Sequence, residues 1–88
     1  MNWFQRVGEA LRKEEPLAVA TLIRGPEPWL GAKWIVDADG NASGRTHPDL
    51  DDRVREVARR YLALGQSGTV TLATPEGEVE VFIEAVVP

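Results

Sequence analysis

Hydrophobic positions along the chain alternate between helical and strand spacing, and the changes of period divide it into segments. Trp3, Phe4, Val7, Ala10 and Leu11 recur at helical spacing, with Arg6, Glu9, Arg12 and Lys13 on the opposite face. This predicts an amphipathic helix over residues 2–14, ended before Pro16. "LAVATLI", residues 17–23, is continuously apolar and predicts a buried central strand. "GAKWIVD" predicts a second strand, "DADG" a turn and "NASGRT" a short third strand. The next segment predicts a helix over residues 48–64. Leu50, Val54, Val57, Tyr61 and Leu64 keep a 4-3-4-3 rhythm and are expected to face the core. Asp49, Asp51 and Asp52 in its first turn, and Arg59 and Arg60 further on, suit the helix dipole. Pro48 suits a first helical position and Gly65 a helix stop. The last segment, "GTVTLATPEGEVEVFIEAVVP", is two alternating runs around "TPEG" and predicts a hairpin.

These segments predict an α+β fold, with two helices packed on one face of a mostly antiparallel sheet of four or five strands. The expected order is helix, strand, strand, a possible third strand, helix, strand, strand. No linker or internal repeat interrupts it, and residues 1–88 are expected to form one domain. A chain of 88 residues buries a limited core, and together with the apolar run "VFIEAVV" this leads us to expect a homodimer.

Composition removes several classes of function. The net charge of -4 disfavours a nucleic-acid binder, which needs a basic face. Cysteine is absent, which excludes disulfides, thiolate metal sites and cysteine nucleophiles, and a single histidine excludes a multi-histidine metal site within one chain. No apolar run approaches the roughly 18 residues that span a bilayer. The N-terminus lacks a signal-peptide core, so a cytoplasmic location without membrane attachment is expected.

Three stretches invite chemistry. "DADGNASG" places Asp37, Asp39, Asn41 and Ser43 at alternating positions, as in a calcium loop. Ala42 then stands where the sharp-turn glycine belongs and Pro48 where the bidentate glutamate belongs, so a β-turn is the better reading. "GNASGRT" lies between strand and helix, but it has three residues between its glycines where a phosphate loop has four. Arg45 also replaces the lysine, and three aspartates follow in the helix. A plain helix entry, with Thr46 or His47 near the cap, accounts for it. His47 has no evident orienting partner and reads as an exposed loop residue. Trp3 fits a core face and Trp34 a strand in the core or at an interface. Trp29, in the proline-rich loop, is either a lid over the core or a contact for a ligand or partner.

At "ALRKEEPLAVATLIRGPEPWLGAKWIVDADGNASG" the sequence resembles the N-terminal domain of the XdhC/CoxI family, maturation factors for molybdenum hydroxylases such as xanthine dehydrogenase. "EALRKEEPLAVATLIR" is similar to the family's first helix and strand. Gly25, Pro28, Gly31, Ala32, Lys33 and Val36 follow the order of the family's next loop and strand. Asp39-Gly40 is similar to its "dG" turn, Gly44 to its next glycine, and "VEVFIEAVVP" to its closing strand. The departures fall at the chemistry. Pro26 stands for the family's loop serine and Trp29 for its loop arginine. "RTHPDLD" replaces a glycine-glycine-cysteine-x-glutamate run, and "PEGEV" a cysteine-glycine-glycine motif. The chain ends where the family's C-terminal Rossmann domain would begin, so a reduced, stand-alone form is expected.

The resemblance implies a binding mouth formed by two loops. One holds Arg24, Gly25, Pro28, Trp29 and Gly31, and the other Gly44, Arg45, Thr46 and His47. In that mouth Arg24 and Arg45 would supply positive charge, Trp29 a stacking face, and the glycines close approach of backbone. The implied ligand is a molybdopterin-type cofactor, and the implied partner a molybdenum hydroxylase or another maturation factor. No nucleophile–base pair can be read from the residues, so a non-enzymatic accessory or binding module is expected. The alternative is a structural or regulatory interaction domain that has lost the cofactor.

Overall fold

The computed structural model describes residues 5, 8–9, 15–39, 42–43 and 48–86. Along the chain these form β1 (Leu17–Arg24), a 3-10 turn (Glu27–Trp29), β2 (Lys33–Asp37), β3 (Ala42–Ser43), α1 (Pro48–Leu64), β4 (Gly68–Thr74) and β5 (Gly77–Val86). The strands make one five-stranded sheet in the order β3-β2-β1-β5-β4, with antiparallel pairing throughout.

The continuously apolar β1 sits at the centre of the sheet, as its composition predicts. Ala18, Ala20 and Leu22 point to one face and are buried with Trp34 and Val36 of β2 and Val79, Val81 and Ile83 of β5. α1 lies across this face and closes the core. Leu17, Val19 and Ile35 alternate with these residues and are buried on the opposite face, so the middle of the sheet is dry on both sides.

Two expectations need correction. The helix expected over residues 2–14 falls mostly outside the described residues; Gln5, Gly8 and Glu9, which are described, have helical backbone. Among the described residues one long helix packs on the sheet, not two, and the order along the chain gains a 3-10 turn between β1 and β2. The second correction concerns the buried face of α1. Leu50, Val54, Ala58 and Leu62 are buried together with Asp51, whereas Val57 and Tyr61 are half-buried on a flank and Leu64 is 68% exposed. At 3.6 residues per turn, this face is rotated by about 70° from the stripe the 4-3-4-3 rhythm marks. Alanine carries little hydrophobic signal in a sequence, yet Ala58 is small enough to let the helix lie close to the sheet.

The helix spans the predicted range. It ends with Gly65 at φ 64°, where Gly65 N–H donates to the Leu62 carbonyl at 3.1 Å and Gln66 N–H to the Tyr61 carbonyl at 2.9 Å. This double closure satisfies two terminal carbonyls and needs a residue tolerant of the left-handed region. The predicted hairpin is also present. Thr74 pairs with Gly77, and the Thr74 hydroxyl accepts from Glu76 N–H at 3.2 Å within the turn.

Candidate functional site

The first half of the expected mouth is the connection from β1 to β2, and nearly every residue in it has a role in the fold. A register shift between Leu22 and Arg24 ends the regular pairing of β1 with β5. Arg24, exposed, then reaches the Glu80 carboxylate at 3.3 Å. Gly25 follows, where the backbone passes so close to β5 that an added Cβ would lie 2.8 Å from Val79 Cγ1 and 3.2 Å from Leu22 Cδ2. No side chain fits there without displacing the core. Pro26 and Pro28 lead and occupy the 3-10 turn, and proline's fixed φ suits such a position. Trp29 is half-buried and packs against the central cluster, which gives it the lid role. Gly31 takes φ 81°, a region that favours glycine, with open space where a side chain would point.

The backbone of this loop is closed on itself. Trp29 N–H donates to Pro26 O at 2.9 Å, Leu30 N–H to Glu27 O at 3.2 Å, and Ala32 N–H to Trp29 O at 3.0 Å. Gly31 N–H donates to Leu22 O at 3.0 Å, and Leu22 N–H to Ala32 O at 2.9 Å. Four consecutive amides, from Trp29 to Ala32, are therefore spent inside the loop. A phosphate cradle requires such amides to point at the ligand. Lys33, part of the same resemblance, donates across the sheet to the Thr21 hydroxyl at 3.1 Å.

The second half, Gly44, Arg45, Thr46 and His47, lies outside the described residues. β3 runs antiparallel to β2, so it points toward the β1–β2 loop end of the sheet. The first turn of α1 is anchored at that same end. Trp34 is fully buried, and its indole Nε1–H donates to Asp51 Oδ1 at 2.8 Å. Asp51, among the described residues, is the buried charged side chain, whereas the sequence pattern places it only as a complement to the helix dipole. An aspartate at helical spacing between Leu50 and Val54 was the available signal, but the pattern does not reveal its tryptophan partner.

The "DADG" turn keeps its plain reading. Asp37 Oδ1 accepts the Asp39 amide at 3.0 Å, which is how an aspartate stabilises its own turn. Among the described residues no three His, Cys, Asp or Glu side chains gather to hold a metal ion.

Two shallow clefts open along α1, and no described residue of the expected mouth lines either. One, about 290 Å³, lies among Val36, Asp52, Arg55, Glu56 and Arg59. The other, about 490 Å³, lies among Pro16, Ala38, Arg59, Arg60, Leu62 and Ala63. Arg55 pairs with Asp52 at 2.8 Å on the helix surface.

The architecture is that of a small α+β domain, one helix over a five-stranded antiparallel sheet, with a tight glycine- and proline-bearing loop at the end of its central strand. The profile of the XdhC and CoxI family matches residues 10–73. The chain therefore belongs to the XdhC and CoxI family. The matched span runs from the segment before β1 into β4 and includes the whole β1–β2 loop. No curated protein matches the chain. No helix among the described residues is long and apolar enough to cross a membrane.

Proposed function

We propose that this chain is a non-enzymatic accessory or binding module in the maturation of molybdenum hydroxylases, and that residues 1–88 are equivalent to the family's N-terminal unit. The observation that carries this reading is the family match over residues 10–73. In this reading the partner is a molybdenum hydroxylase or another maturation factor, and the protein acts in the cytoplasm.

A molybdopterin-type ligand would sit at the end of the sheet between the two loops. The described half of that mouth fits such a ligand poorly. Arg24 is already paired with Glu80, Trp29 is packed on the core, and the amides from Trp29 to Ala32 are already bonded. Recognition would then fall mainly to Gly44, Arg45, Thr46 and His47. The same observations favour a second reading, an interaction domain that keeps the scaffold and has lost the cofactor.

Intrinsic tryptophan fluorescence titrated with molybdopterin and with simple pterins separates the two. If the mouth binds, the change saturates on the order of micromolar or weaker, since net charge opposes an anion. Arg45→Ala then weakens it, and Trp29→Ala does so only if the ring is shared between core and ligand. No saturable change up to millimolar ligand, with circular dichroism confirming a folded protein, sinks the cofactor-binding reading and leaves the interaction domain.

A further inference from the structure

On one side of the sheet the edge strand is β3, of which Ala42 and Ser43 are described. On the other side the edge is β4, seven residues reading "GTVTLAT". It carries no charge and no proline, and its register with β5 runs unbroken from Gly68 to Thr74. The strand's own residues supply none of the usual protections.

The hydrogen-bonding groups that β4 leaves open follow from its hairpin. The two-residue turn makes Thr74 and Gly77 the closing pair. In an antiparallel ladder the residues that exchange bonds alternate, so Leu72 and Val70 turn inward to β5 while Ala73, Thr71 and Thr69 turn outward. Arg53 on α1 donates to the Ala73 carbonyl, as expected for a group outside the ladder. Among the described residues nothing pairs with the outward groups of Thr71 and Thr69.

We propose that β4 is a homodimer edge, at which two copies of this chain pair their β4 strands antiparallel about a two-fold axis at Thr71. The occupant is a second copy because the strand is complementary to itself. A two-fold at Thr71 sets Thr71 against Thr71 and Thr69 against Ala73, so outward groups meet outward groups along the whole strand. On the helix side Val70 meets Leu72 of the other copy. Both are half-buried and, like Val57 and Tyr61, pack against the core cluster, so pairing extends this apolar margin across the axis. The strand's lack of charge matters in a chain of net charge -4, because like charges opposite each other on a shared edge are destabilising. Arg53 keeps its contact, since a carbonyl accepts two bonds. The proposal stands on the sheet edge and does not depend on the functional reading.

Sedimentation velocity over a concentration series, with Thr71→Pro and Thr71→Lys alongside the natural chain, tests it. Proline at an outward-facing edge position removes no bond of the monomer's own ladder. Lysine there places two charges face to face only in the dimer. The expected result is a dimer for the natural chain, a monomer for both variants, and unchanged circular dichroism for all three. Amide hydrogen exchange on the natural chain provides a test that needs no variant, with Thr69 and Thr71 protected at high protein concentration and exchanging fast on dilution. A natural chain that stays monomeric at high micromolar concentration overturns the proposal. So does a dimer that survives both substitutions, or Thr69 and Thr71 amides that exchange fast in the dimer.

Discussion

The Trp34–Asp51 contact is the sharpest place to test whether the packing described above holds the fold. Trp34 is fully buried, Asp51 is 6% exposed, and the indole donates to the carboxylate at 2.8 Å. The contact ties the first turn of α1 to β2 at the end of the sheet that carries the β1–β2 loop. Its strength is measured by a double-mutant cycle of Asp51→Ala, Trp34→Phe and the pair. Asp51→Ala leaves a buried indole N–H without this acceptor, which costs about 1–3 kcal/mol before any packing loss. Trp34→Phe removes the donor and part of a fully buried ring, and a cavity adds to that cost. In the double variant neither group is left orphaned. The two single costs should therefore exceed the double cost by about 1.5–3 kcal/mol, the range for a hydrogen bond to a charged group. A domain of this length has roughly 4–13 kcal/mol of total stability, and a loss of about 1–3 kcal/mol should lower its Tm by roughly 4–24 degrees. Urea unfolding followed by far-ultraviolet circular dichroism supplies the four stabilities. Additivity within about 0.5 kcal/mol would show that the two side chains do not interact and would refute the reasoning.

Two further predictions come from burial and close approach. Val54→Asp places a carboxylate at a fully buried position of α1 and should cost several kcal/mol, whereas Leu64→Asp at a 68% exposed position should change Tm by only a few degrees; a Leu64→Asp loss as large as that of Val54→Asp would restore the 4-3-4-3 face, to which both residues belong. Gly25→Ala forces a Cβ against Val79 and should cost about 1–3 kcal/mol, and Gly25→Ala combined with Val79→Ala should recover part of the loss by removing the clashing methyl groups; a double variant less stable than the sum of the singles would show that strain elsewhere in the loop sets the cost.

The elements with the strongest periodic signals were legible in the sequence. β1 is apolar at every position from Leu17 to Ala20 because both faces of a central strand are covered, and that run marks it whatever surrounds it. The β4–β5 hairpin alternates because one face of it meets solvent. α1 was legible in extent, since proline, aspartates and glycine mark its ends, but its rotation was not. Rotation is set by which residues allow close approach, and there the small Ala58 and the hydrogen-bonded Asp51 count for more than the larger Val57 and Leu64. The candidate site was legible as a loop of unusual composition. What the sequence did not reveal was how far that composition serves the fold, because steric contact with Val79 and amide closure are three-dimensional facts.

That distinction bears on what the family match means. A glycine in a loop is required either because a ligand comes close or because the chain itself does, and composition reads the same in both cases. Here Gly25 answers to Val79 and Gly31 to its own φ, so these two positions would be demanded by the fold with no ligand bound. Pro26 and Trp29 stand where the sequence departs from the resemblance, and they build the self-closed turn. The Pro26 carbonyl takes the Trp29 amide, and the Trp29 ring covers the core. A serine and an arginine at these positions would offer a hydroxyl and a guanidinium at the end of the sheet. Proline and tryptophan offer neither, and they exchange polar reach for packing. The scaffold can therefore be retained for reasons internal to it while the chemistry at its tip changes. A ligand at this end of the sheet would then find in the β1–β2 loop a surface already closed by its own amides and packing.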